Sequence, residues 1–234
     1  MECFVRYILL SLIIIFTVLY LSRVDNKLTN EDEKYINYFL TDIKVLSKNK
    51  TFQDEVSFIK AVQNSVLKNS YKSIDIPKYS TREPKDVFIL KTGQCFDRSR
   101  VIEKILRFSG FKTRHVSMYS KVKVASSINI LLTPGVESHA ITEVLTLKGW
   151  LIVEPNERWI SVDEKYNILS IYDIFSQLEK NNKIKWKNEP PLIYNKQFTY
   201  VYGLYSRHGQ FYPPYNFIPD IEWNELMYNF KELL

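Results

Sequence analysis

An α+β fold is predicted, in which a helix that opens on a cysteine packs on an antiparallel sheet. Three observations predict it. A turn signal, Thr92-Gly93, runs into Cys95, and apolar residues then recur at Val101, Ile102, Ile105, Leu106 and Phe108, the stripe of an amphipathic helix. Two alternating segments, His139–Leu147 and Trp150–Glu154, meet near Lys148-Gly149 as the arms of a hairpin would. Upstream, two more amphipathic stretches each follow a capping residue.

The chain has 234 residues, enough for one sizeable core with helical additions. Apolar residues make up 45% and charged residues 25%, which excludes a disordered chain. The net charge is +6, but the lysines are scattered and form no dense stripe, so a solvated basic surface is favoured over nucleic-acid binding.

Phe4 to Leu21 is apolar except for Arg6. At helical rise this run reaches ~27 Å, about the thickness of a bilayer core. Arg6 and Arg23 can snorkel to the two interfaces. No small-x-small cleavage site follows, so a retained membrane anchor through residues 4–22 is favoured over a cleaved signal peptide. A short leading tail then puts the bulk of the chain outside the cytoplasm. Cys3 lies at the membrane edge and cannot reach Cys95, which leaves Cys95 unpaired.

The remaining elements follow in order. Asn26 to Asn30 reads as a juxtamembrane linker, and Thr29 or Asn30 caps a helix over 31–47 with Tyr35, Tyr38, Phe39, Ile43 and Leu46 on one stripe. Thr51 with Asp54 caps a second helix over 52–68. Ile74 to Lys85, with Pro77 and Pro84, reads as a loop. The cysteine helix ends at Gly110, and 111–119 alternates as a strand. Residues 122–129 are ambiguous, and Pro134-Gly135 marks a turn in 131–137. A helix is expected over 171–180. Residues 185–219 are rich in Tyr, Phe and Pro, and Asp220 caps a last helix over 221–233.

Three motifs carry chemistry: Gly93-Gln94-Cys95-Phe96-Asp97, then His139-Ala140-Ile141-Thr142-Glu143-Val144, then Gly149-Trp150-Leu151-Ile152-Val153-Glu154-Pro155. A cysteine in the first turn of a helix meets the positive end of the helix dipole, which favours the nucleophilic thiolate. Cysteine, histidine and acid in this order point to thiol acyl transfer. The three motifs resemble those of the bacterial transglutaminase-like domains, in the papain-like thiol superfamily, over roughly residues 86–162. The resemblance implies Cys95 as nucleophile, His139 as general base and acid, and Glu154 as the carboxylate that orients it. Glu154 stands where the family usually has aspartate, Ile141 where it often has tryptophan, and Gly149 and Trp150 are adjacent.

The resulting plan is an anchor at 1–25, a helical region at 26–85, a transglutaminase-like core at 86–165, and an aromatic-rich extension at 166–234 packing on that core. A turn at Lys148-Gly149 would set Glu154 opposite Glu143 and leave His139 about 13 Å further along its strand, so a triad calls for a wider loop or a bulge. His115 and His208 are rival bases. Asp97 reads as a helix-dipole partner rather than a catalytic acid. Tyr200, Tyr202, Tyr205, Phe211, Tyr212 and Tyr215 could line a sugar or peptide groove, but packing on the core is favoured. No metal-ligand spacing, acidic calcium loop, phosphate loop or dinucleotide fingerprint is present, so no metal and no cofactor is expected. The expected function is thiol acyl transfer on amide or peptide bonds of a protein or peptide at the cell envelope, with hydrolysis favoured over crosslinking. A catalytically silent binding or scaffold module on the same fold is the alternative. Substrate and oligomeric state are not legible.

Overall fold

The computed structural model describes residues 2–47, 49–71, 74–77, 80–121, 129–130, 133, 135–206 and 220–231, without the side chains of residues 2–5 and 8. Five helices lead the chain: α1 (Glu2–Leu21), α2 (Asn30–Leu40), α3 (Phe52–Asn69), α4 (Pro84–Leu90) and α5 (Cys95–Phe108). Strands β1 (Lys112–Ser120), β2 (Ser138–Thr146) and β3 (Gly149–Val153) follow. Helix α6 (Ile171–Glu179), a 3₁₀ turn at Leu192–Asn195 and strand β4 (Phe198–Tyr202) come next. Short elements close the described chain: β5 (Leu204–Tyr205), β6 (Asp220–Ile221), α7 (Trp223–Leu226) and α8 (Tyr228–Lys231).

The main sheet has the order β3-β2-β1-β4, and every pair in it is antiparallel. Both of its faces are covered, which is why β1 and β2 are buried almost throughout. On one face Val144, Leu151 and Val153 meet Val101, Ile102 and Ile105 of α5, with Ile59 and Val62 of α3 behind them. On the other face Val116, Met118, Ile141 and Ile152 meet Ile171, Ile174, Tyr194, Phe198 and Tyr202. On this face charged side chains of β1 and β2 pair. Arg114 Nε donates to Glu143 Oε2 at 2.7 Å, and Glu143 Oε1 accepts the first N–H of α6, from Ile171, at 2.7 Å. Tyr200 and Tyr202 lie on the edge strand β4 and pack onto this second face, as the packing reading expects. Phe211, Tyr212, Tyr215 and His208 lie outside the described residues.

The expected caps form. Thr29 accepts from Asp32 N–H and Thr51 from Asp54 N–H, each returned by the aspartate carboxylate. Several boundaries differ from expectation. Helix α2 stops at Leu40, where the Thr41 hydroxyl donates back to the carbonyls of Asn37 and Tyr38, so Ile43 and Leu46 pack from a loop. Pro84 starts α4 rather than marking a loop: proline suits a first helical position, whose N–H needs no intrahelical partner. The Asn26 region is no free linker. Val24 N–H donates to Ile221 at 2.8 Å, Ile221 N–H donates to Ser22 at 2.7 Å, and Arg100 of α5 reaches Asn26 Oδ1 at 2.8 Å and Asp25 O at 3.1 Å. The single last helix expected over 221–233 is two short ones. Asp220 pairs in β6, and Glu222 is the cap. Gly203, at φ +74°, packs against the first turn of α7, where a Cβ would lie 2.5 Å from Leu226 N and 2.6 Å from Glu222 O.

Counted over the described residues, no helix is long and apolar enough to cross a membrane, so the spanning segment expected at residues 4–21 is not established by the fold. The described α1 side chains from Leu9 to Leu21 that are large and apolar stand exposed, Phe16 at 66% and Ile13 at 61%.

A buried charge cluster joins α5, β1, β5 and α7. Arg107 bridges Glu103, at 2.6 Å, and Glu225. The Tyr205 hydroxyl lies 2.8 Å from Glu103 and 2.9 Å from Glu225. Burial pushes both carboxyls up, but Arg107 holds Glu103 down at about 2, and that charge helps push Glu225 up to about 8. Burial also pushes His115 down, so it sits neutral, and that stability is lost as pH falls below 6.5. Glu225 carries the opposite sign. Its folded value lies above its ordinary 4.5, so its contribution is complete below 4.5 and is lost as pH rises through 8. Between pH 6.5 and 8 Glu225 acts unopposed by His115. Glu225→Gln is therefore predicted to gain melting temperature relative to wild type as pH rises across that interval. A difference that stays constant with pH in thermal denaturation would contradict it.

Candidate active site

The start of α5 is built around Asp97. Its Oδ2 accepts the Gln94 N–H at 2.9 Å, and its Oδ1 accepts Arg82 Nη1 at 2.8 Å. Arg82 is buried and also donates to Ile76 O at 2.7 Å. Gly93 lets Asp97 fold back, since a Cβ there would lie 3.3 Å from the Asp97 Cβ. Asp97 thus stands in the first turn, where a dipole partner was expected, and also accepts the N–H of the capping residue Gln94; Cys95 is partly exposed at the first helical position.

His139 lies one residue into β2, and its ring Nε2 sits 3.0 Å from Oε1 and 2.9 Å from Oε2 of Glu154. Cys95 lies close enough to help raise the ring's pKa, and Nδ1 is the ring nitrogen that Glu154 leaves free. The structure therefore brings together all three residues singled out in the sequence. It does so without the wider loop or bulge that seemed necessary. Thr146 pairs with Gly149 and Thr142 with Val153, so the turn is the two residues Leu147-Lys148, one earlier than expected. The Thr146 hydroxyl holds this turn, donating to Gly149 O at 2.8 Å and accepting the Lys148 N–H at 3.2 Å. One residue further in this register, Glu154 falls opposite Ile141, on the face of His139 and diagonal to it. The extra methylene of glutamate spans that diagonal.

The carboxylate of Glu154 is 1% exposed and fully occupied. Besides His139 it accepts the Asn156 N–H on Oε1 at 2.9 Å and the Tyr194 hydroxyl on Oε2 at 2.8 Å. Burial pushes Glu154 up, but the His139 charge and these hydrogen bonds outweigh it, and the group stays below its ordinary value. Burial likewise pushes His139 down, but the Glu154 carboxylate and the bonds to Cys95 and Glu154 raise it to about 10. At neutral pH the pair is an imidazolium against a carboxylate.

Four supporting residues were not singled out from the sequence. Arg98, one turn after Cys95, donates to Asn156 Oδ1 at 2.9 Å and to Ser70 O at 2.6 Å. Gln63 of α3 donates to the carbonyls of Glu154 at 2.8 Å and Trp159 at 2.7 Å. Asn156 and Tyr194 hold the carboxylate directly. The spacing of Arg98 from Cys95 was a usable signal; the other three come from distant segments and had none. His115 is no rival base. It is buried on the α5 face, stacked on Tyr205 at 4.2 Å, and its nearest acid is Glu103 at 3.7 Å. Beside His139 opens a cleft of about 200 Å³ lined by Glu137, Ser138, Glu157 and Leu192 among others. Among the described residues no group of His, Cys, Asp or Glu could hold a metal ion.

The profile of the transglutaminase-like superfamily matches residues 45–163, just over half of the chain, and the chain belongs to that superfamily. A comparison with curated proteins returns no match. Among solved structures it is similar to one described as a candidate cysteine protease from Cytophaga hutchinsonii, at 15% identity and a TM-score of 0.37, over 54% of this chain and 38% of that one. A candidate protease from Parabacteroides distasonis gives 13% identity and a TM-score of 0.35, over 53% of this chain and 23% of that one. Rad4-Rad23 bound to a 6-4 photoproduct UV lesion gives 11% identity and a TM-score of 0.32, over 61% of this chain and 38% of that one. The chain thus spans less than two fifths of the length of each, and at these TM-scores the likeness informs neither fold nor activity.

Asp97→Ala is predicted to destabilise the fold by about 3–5 kcal/mol, because it leaves the buried Arg82 guanidinium short of a partner and uncaps α5. Urea denaturation measures this. A loss below about 1 kcal/mol would show that the cap does not hold the cysteine helix in place.

Proposed function

We propose that the chain is a thiol-dependent acyl-transfer enzyme acting on amide or peptide bonds, with Cys95 as nucleophile, His139 as proton carrier and Glu154 as its orienting carboxylate. One observation carries the reading: a buried histidine is paired at 2.9 Å with a buried carboxylate and raised to about 10, with Cys95 among the groups that raise it. A structural histidine in a core is usually held neutral by burial. This one is held charged next to a thiol.

In the proposed reaction His139, as the imidazolium, holds the proton given up by the Cys95 thiol, and the resulting thiolate attacks the carbonyl carbon while the carbonyl electron pair moves to oxygen. The Cys95 N–H, unpaired at the first helical position, can donate to that oxyanion. Collapse breaks the C–N bond, and the His139 imidazolium gives its proton to the leaving amine. The thioester is then attacked by water, whose proton returns to His139, and collapse breaks the C–S bond to release the acid and the Cys95 thiolate. The cleft beside His139 is where the attacking molecule would enter. An amine in place of water would give transamidation by the same steps.

Iodoacetamide labelling and peptide turnover test this together. Cys95→Ala is predicted to abolish turnover and to leave Cys3 as the only labelled position, without lowering the melting temperature. His139→Ala removes turnover. Glu154→Gln lowers turnover by about 10²–10³, less than the roughly 10⁴ of the serine-protease counterpart, because a thiol needs less help to ionise. A Cys95 thiol that labels no faster than a denatured cysteine would reject the enzyme reading and leave a binding or scaffold module on this fold.

The membrane anchor is proposed on separate grounds, the apolar run Phe4–Leu21 and the exposed apolar side chains of α1. The bulk of the chain would then lie outside the cytoplasm. The full chain is predicted to sediment with membranes after a carbonate wash, and to be cut by protease added to spheroplasts. Recovery in the soluble fraction, or a mature protein starting near Arg23, would reject the anchor.

A further inference from the structure

We infer that Tyr194 is a positioning residue of this site: its hydroxyl fixes the Glu154 carboxylate in the orientation that His139 needs. The inference rests on the Cys95–His139–Glu154 reading and adds to it a member from the C-terminal extension. Tyr194 belongs to the 3₁₀ turn at Leu192–Asn195, far in sequence from the three motifs. Its side chain is wholly buried, and its one polar atom ends on Glu154 Oε2 at 2.8 Å. The ring is held over Trp159, with centroids 4.6 Å apart, and it presents itself edge-on to His139 at 6.5 Å. Trp159 is held in turn by Trp186 at 5.3 Å and by its own indole N–H, which donates to Asn188 O at 3.2 Å.

The geometry explains why the hydroxyl matters. A carboxylate on a three-bond stem can rotate about its last torsion, which is broad and weakly held. Asn156 N–H fixes Oε1, and Tyr194 fixes Oε2. With both oxygens held from outside, the carboxylate plane is set before His139 engages it. Burial and the adjacent carboxylate push the Tyr194 phenol well above its ordinary value, so it stays a donor wherever the site works. The same hydrogen bond favours the charged form of Glu154.

Tyr194→Phe keeps the ring and removes only the donor. The test is the pH profile of iodoacetamide labelling at Cys95, which needs no knowledge of the substrate. Wild type should show an acid limb where Glu154 protonates and the imidazolium loses its support. In Tyr194→Phe this limb is expected to move up by about 0.5–1 pH unit, the worth of one hydrogen bond. In a Glu154→Gln background the added Tyr194→Phe change should leave the profile where it was, since the donor then has no carboxylate to hold. Phe39→Leu, in the α2 part of the core and away from Tyr194, serves as a packing control, expected to lower the melting temperature without moving the limb. A Tyr194→Phe profile that superimposes on wild type, or an equal shift in both backgrounds, would make Tyr194 a packing residue and overturn the inference while leaving the triad intact. A wild-type profile with no acid limb and no response to His139→Ala would remove the triad reading itself, and the inference with it.

Discussion

The ion pair between His139 and Glu154 is the interaction on which the rest of the site depends. Two opposite charges about 3 Å apart in a buried site are worth having only if the desolvation of both is repaid by hydrogen bonds in good geometry. Here the repayment is visible. Glu154 gains donors from Asn156 and Tyr194 as well as His139, and His139 keeps its second nitrogen for Cys95. Each of these donors comes from a different part of the chain, so the pair forms only when the hairpin, the loop after β3 and the C-terminal extension are all in place.

The scaffold around the pair follows the same logic. Arg98 of the cysteine helix grips Asn156, and Gln63 of α3 grips the backbone of Glu154 and Trp159. Both are buried side chains whose polar ends are aimed at the loop that carries the carboxylate. Helix α3 thus does more than fill the core. From the middle of α5 Arg100 reaches the segment after α1, and near its far end Arg107 reaches α7. Polar contacts thus hold the cysteine helix along its length, beside its apolar contacts with the core. That arrangement keeps the thiol fixed against a sheet whose strands are themselves fixed by two-sided burial.

The local parts of this structure were legible in the sequence because their signals are local. The turn at Gly93 into Cys95, the caps at Thr29 and Thr51, and the strands on either side of Leu147 all follow from residues within a few positions of each other. The proposed triad was legible as residue types in order. Its geometry was not, because placing the hairpin turn one residue late moved Glu154 two positions along its partner strand. Thr146 and Lys148 decide that register by a side-chain hydrogen bond that no propensity records. Helix α4 was missed since proline reads as a loop marker unless it happens to occupy a first helical position. Tyr194, Asn156 and Gln63 carried no signal at all. Their roles arise from contacts across wide sequence separations, which a pass along one chain does not reach.

The charge state of His139 is the most direct test of the account. Nitrogen NMR of a protein labelled in its histidine rings, with His139 assigned through its Ala variant, would follow that state across pH. The account predicts an imidazolium that persists through neutral pH and loses its proton only near pH 10. A ring that titrates near 6.5, the value for a free histidine, would contradict the claim that a buried carboxylate holds it charged beside the Cys95 thiol.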